Sequence, residues 1–182
     1  MAFSFSQVSF AKPEKYKIDP DHASVVFWIT HLGFSHVYGM FEDVSGDITL
    51  DEAKPENSTM KVVIKATSVN THVDKRDDHL RSPDFFNVKQ YPEITFTSDS
   101  FKKVSGNKYQ VSGTFDMHGV KKKITIPFER TKTGKDPWGK IRTGANAELV
   151  LKRSDYGMKF MLGPDQVGDD VHITLSVEAV KD

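Results

Sequence analysis

Tyr109-Gln-Val-Ser-Gly-Thr-Phe-Asp-Met-His-Gly-Val-Lys-Lys-Lys-Ile-Thr-Ile-Pro-Phe-Glu129 reads as two β-strands and the turn between them. Tyr109, Val111, Gly113, Phe115 and Met117 take every second position, and the residues between them are polar. Period two belongs to a strand with one dry face and one wet face, whereas a helix repeats near 3.6. His118-Gly119 supplies the turn, and beyond it Ile124, Ile126 and Phe128 alternate with Lys123, Thr125 and Glu129.

The same period recurs on both sides. Val25, Phe27, Ile29 and His31 alternate with Val26, Trp28 and Thr30, and Val37, Gly39 and Phe41 lead through Val44 to Ile48 and Leu50. Val62, Ile64 and Ala66 form another face, as do Ile94 with Phe96 and then Ala145, Ala147, Leu149 and Leu151. Val171, Ile173, Leu175, Val177 and Ala179 form the last. Ser105-Gly106-Asn107 joins two runs at hairpin distance, Gly134, Pro137 and Gly139 break the chain before the seventh run, and Gly163-Pro164 before the final one. The pattern predicts an all-β domain of about eight strands, mostly antiparallel and connected in order, as a closed barrel or a sandwich. No repeat, low-complexity tract or linker divides a second domain from it.

One stretch departs from this rhythm: Thr71 to Asn87, dense in Asp, Lys and Arg and ending on Leu80, Pro83, Phe85 and Phe86. It predicts a short helix or loop near residues 74–86, with Asp74 as N-cap and Asp77 and Asp78 in the first turn. Pro83 should stop the helix near Arg81. The apolar residues would pin the segment to the β-core or cover one end of a cavity.

Composition narrows the function. The chain has 182 residues, 25 basic and 25 acidic, so no overall field favours nucleic acid or an anionic membrane. The absence of Cys excludes disulfides and thiol chemistry. No apolar run approaches the ~18 residues of a transmembrane helix. Residues 1–11 are uncharged and end Ser9-Phe10-Ala11, a small-x-small pattern; they read as a signal-peptide remnant or as an ordinary leader, with the folded part beginning at 12. Seven His residues invite a catalytic or metal reading, but no HExxH, nucleophile elbow or phosphate loop is present. His31, on a dry face, reads as a hydrogen-bonded core histidine. Binding is favoured over enzymatic activity.

From pattern alone, the interior of such a barrel is either filled by its side chains or hollow enough for a ligand. Large Phe residues on the inward faces stand beside Gly39, Gly113, Ala66, Ala145 and Ala147, which suits a tapered, packed core or a tunnel, and on pattern alone the packed core is the better reading.

Several spaced blocks carry a resemblance. Tyr16-Lys-Ile-Asp19 with His22, then Val25-x-Phe27-x-Ile29-x-His31-Leu-Gly33, is followed by His79-Leu-Arg-Ser-Pro-Asp-Phe-Phe86 and Tyr91-Pro-Glu-Ile-Thr-Phe96. Tyr109-x-Val-x-Gly113 and Lys152-Arg-Ser-Asp-Tyr-Gly157 complete the series. In this order the blocks resemble the YceI-like family over about residues 16 to 180. The resemblance implies a lipocalin-like antiparallel barrel around an apolar pore that binds long isoprenoid lipids, such as a polyprenyl phosphate or a quinone tail. That lipid would be cargo rather than cofactor. The resemblance also implies export to the periplasm, with the cytoplasm as the alternative, and a homodimer.

The lining candidates on this reading are Phe27, Ile29, Phe41, Phe96, Phe115, Met117, Ile126 and Phe128, with Leu80, Phe85 and Phe86 near one end and Phe34, Met158 and Met161 at the mouth. A polar head would meet His31, Arg76, His79, Arg81 or Arg153, although local salt bridges to Asp74, Asp77 and Asp78 are the better reading for Arg76 and Arg81. Two other readings remain: a lipid-modifying enzyme using a pocket histidine, and a packed β-domain with a structural or partner-binding role.

Overall fold

The computed structural model describes residues 12–163 and 165–182. The leader expected at 1–11, and Pro164 of the last predicted break, lie outside the described residues. Ten strands form: β1 (Glu14–His31), β2 (Ser35–Phe41), β3 (Val44–Leu50), β4 (Thr59–Lys65), β5 (Val69–Asn70), β6 (Glu93–Ser105), β7 (Lys108–Met117), β8 (Val120–Lys135), β9 (Ile141–Lys152) and β10 (Val167–Lys181). They make one antiparallel sheet in the order β10-β9-β8-β7-β6-β4-β3-β1, and β1 closes the ring by pairing with β10.

The closed barrel has eight staves because two of them are each built from two strands. β1 is 18 residues long; its start pairs with β3 and its second half with β2. β2 and β3 are therefore one stave, bent at Glu42-Asp43. β4 and β5 make another, bent by the single 3₁₀ turn of Ala66–Ser68. Ser68 secures both bends, its Oγ accepting from the amides of Glu42 and Asp43 and donating to the Lys65 carbonyl.

The predicted turns at Ser105–Asn107 and His118-Gly119 are present, and both His118 (φ 54°) and Gly119 (φ 75°) are left-handed, as a tight hairpin matched to strand twist requires. The break before β9 falls later than expected. Gly134 still lies within β8, and the chain turns at Asp136–Lys140, where Asp136 Oδ1 accepts from the amides of Trp138 and Lys140.

Helix α1 (Asp74–Arg81) ends where expected, but its N-cap is Val73, which makes no side-chain cap, and Asp74 is the first helical residue. The ordering contact comes from the next turn instead. Buried Asp77 accepts through Oδ1 from the Thr71 amide at 2.9 Å and from the Thr71 hydroxyl. β6 begins only opposite Lys65, so on that side β4 has a laddered neighbour while β5, paired with β2 on its other side, has none. α1 and the following turns, bearing Leu80 and Phe86, pack against the core there. No helix among the described residues is long and apolar enough to cross a membrane.

Candidate functional site

The inward faces do not meet. They enclose an apolar cavity of about 700 Å³, running from Ile18, Met60 and Phe128 at the base to His31, Val73 and Phe160 at the mouth. That volume falls within the roughly 300–1,000 Å³ of small-molecule sites. Gly39 and Gly113 do not open this space. A Cβ on Gly39 would lie 2.5 Å from the Phe27 ring and one on Gly113 2.7 Å from Phe96, so these glycines seat aromatic rings. Ala145 and Ala147 line the cavity in the same wall as the half-buried aliphatic residues of β9 and β10.

Phe27, Ile29, Phe41, Phe96, Phe115, Met117, Ile126 and Phe128 all line the cavity, as do Leu80, Phe85, Phe86, Met158 and Met161. Phe34 does not: the left-handed Leu32 and Gly33 carry it to the tip of the β1–β2 turn, where it is 88% exposed. The mouth is spanned by an aromatic cluster, with His79 centred 5.1 Å from Phe85 and 4.9 Å from Phe160. Phe160 belongs to the irregular segment after β9, where no period flags it. Leu149, Leu151, Val171, Ile173 and Leu175 also line the cavity, and the period-two faces already contained them.

The polar candidates divide. His31 lies at the rim but is exposed rather than a core histidine, because β1 ends there. His79 is also at the rim, Nε2 2.9 Å from Asp84 Oδ2. Arg76 lines the mouth beside Lys75 and donates to the Thr71 hydroxyl (2.7 Å) and carbonyl (2.8 Å), not to a carboxylate. Arg81 is not part of the lining; it points down the outside of the stave, donating to the carbonyls of Thr67 and Val69 and pairing with Asp78 at 3.1 Å. Arg153 borders the cavity but is only 3% exposed, and it donates to the carbonyls of Met158, Val167 and Gly168. Burial lowers its pKa, Asp169 offsetting part of the effect, and its donors are committed to shaping the mouth.

The profile of the YceI-like domain matches residues 16–179. Protein YceI of Escherichia coli O6:H1 is 43% identical over 168 residues, covering 91% of this chain and 86% of that protein. Protein YceI of Salmonella agona is 39% identical over 187 residues, covering 100% of this chain and 96% of its own. Among solved structures, the Campylobacter jejuni YceI protein superposes with a TM-score of 0.75 at 35% identity, over 84% of this chain and 90% of that one. A polyisoprenoid-binding domain from Saccharophagus degradans superposes with a TM-score of 0.69 over 94% of this chain and 100% of its own; at 20% identity the likeness is one of fold.

Proposed function

The chain belongs to the YceI-like family, and on that premise we propose that it binds one long-chain amphiphile, an isoprenoid lipid such as a polyprenyl phosphate or a quinone, and carries or sequesters it as cargo. The hollow apolar interior is the observation behind this reading. Each methylene withdrawn from water contributes about 0.8 kcal/mol, so a long hydrocarbon chain binds without any specific polar contact. The polar head would rest at the mouth among Lys75, Arg76, His79 and His31. The description of the Saccharophagus degradans domain as polyisoprenoid-binding supports this ligand class. Binding accounts for these features without a chemical step.

Native mass spectrometry of protein purified from its own cells tests the proposal. A retained apolar chain molecule, removed by solvent extraction, is the expected result. Protein that arrives empty and excludes added isoprenoid lipids would refute it. Fractionation of the same cells tests the accompanying proposal that the protein works in the periplasm.

A further inference from the structure

The wall of the barrel is not laddered all the way up. β8 and β9 pair from Lys135↔Ile141 as far as Phe128↔Ala147, and there their register ends. Above that point β8 continues to Val120 paired only with β7, and β9 to Lys152 paired only with β10. Continued upward, the register would set Ile126 beside Leu149, Thr125 beside Val150 and Ile124 beside Leu151, and none of these pairs forms. The first residue past the last pair is Pro127, which has no N–H to offer a neighbouring strand. Two strand edges, each about five residues or ~16 Å long, thus face one another unpaired.

Both ends of this interval are tied. Below is the ladder, with one irregularity between Arg130 and Thr133. Above, Lys122 Nζ of β8 lies 3.0 Å from Asp155 Oδ1 in the turn after β9, and His118 Nδ1 lies 2.8 Å from the Tyr156 carbonyl oxygen. The flanking side chains are apolar. Ile126, Leu149 and Leu151 face the cavity yet stay half-buried, and Val150 on the outer face is 51% exposed. Proteins ordinarily pair, cover or charge free strand edges.

We propose that the seam between β8 and β9 is a side portal through which the linear hydrocarbon chain of an amphiphile enters and leaves the cavity, with the Lys122–Asp155 ion pair limiting its opening. The proposal rests on the binding reading above. A chain that swings in sideways leaves its polar head in water throughout, whereas threading through the roofed mouth displaces Phe85 and Phe160. Parting these edges breaks the partly exposed Lys122–Asp155 ion pair, the contact of Lys122 Nζ with the Tyr156 ring and a histidine contact; parting any fully laddered pair breaks a run of backbone hydrogen bonds.

The chain has no cysteine, so an introduced pair supplies the only thiols. Thr125→Cys with Val150→Cys, joined by a short bifunctional thiol reagent, closes the seam. Glu148→Cys with Thr174→Cys, joined in the same way across the intact β9–β10 ladder, is the control. With cis-parinaric acid as probe, bridging the seam should slow uptake and release together by roughly tenfold or more while the dissociation constant stays within about twofold. Lys122→Gln should speed both. Unchanged rates in the bridged seam, or equal slowing in the control, overturn the portal. Failure of the unmodified protein to bind the probe overturns the binding reading and the portal with it, whereas binding with unaltered rates overturns the portal alone. A measurement that needs no variant is amide exchange. Seam-facing amides of 123–126 and 148–152 should exchange faster than the laddered amides of 142–147, and equal protection overturns the proposal.

Discussion

Two arginines hold the two ends of this barrel in different ways. At the base, Arg142 draws carboxylates from separate parts of the wall: Asp136 at 2.8 Å, Glu178 at 3.2 Å, and Asp19. It remains 19% exposed, and its pKa is raised, first by the Asp19 bond and then by Asp136. At the mouth, Arg153 is sealed from water and bonds to three backbone carbonyls. The base is a cluster of charges that solvent screens, with the side chains of Phe101 and Tyr16 buried nearby in the wall. At the mouth the Arg153 guanidinium ties the irregular segment after β9, through the Met158 carbonyl, to the start of β10, through the carbonyls of Val167 and Gly168. Charge can be lost from the first at small cost; removing the second leaves polar groups stranded.

The contrast can be broken by experiment. Phe101→Ala at the base should cost about 3–5 kcal/mol in denaturant unfolding, while Phe85→Ala at the half-exposed mouth should cost far less and weaken ligand binding instead. Equal losses would erase the distinction. Arg153→Met should cost about 3 kcal/mol, since it orphans carbonyls at ~1–3 kcal/mol each, and proteolysis should then cut the segment between Gly157 and Gly163. Asp77→Ala, which takes the acceptor from the buried Thr71 amide and hydroxyl, should cost about 2 kcal/mol and increase amide exchange in α1. The smallest effect belongs to Arg142→Gln and appears mainly in acid. Arg142 holds the carboxyls of Asp19 and Asp136 below the ordinary aspartate range. Their contribution is complete above the ordinary value of about 3.9 and is lost as pH falls through the lower folded values. Stability of the parent protein should therefore be level from about pH 7 to 5 and fall below about pH 4, and the variant should show a shallower acid limb. An unchanged limb would remove Arg142 from the account.

Strand faces were readable in the sequence because burial on one side imposes period two, and the inward set from Phe27 to Leu175 follows it. Features that depend on how strands meet were not. Whether Gly39 makes a void or seats the Phe27 ring depends on its cross-strand neighbour, and alternation says nothing about neighbours. The fates of Arg81 and Arg153 turned on backbone carbonyls, which carry no side-chain signature. Phe160 lies in irregular chain, and Phe34 was misplaced because a left-handed turn reverses direction without altering composition. The seam left one trace, Pro127, which reads in isolation as a tolerated residue of an edge strand.

β1 lies against β10, so the first and last described strands of the chain are also neighbours in the wall. Their contact spans nearly the whole sequence, the most demanding kind of closure for a folding chain. Without Val167–Lys181 the remaining staves would be an open sheet with no wall opposite, so the interior exists only through the pairing of the last described strand with the first.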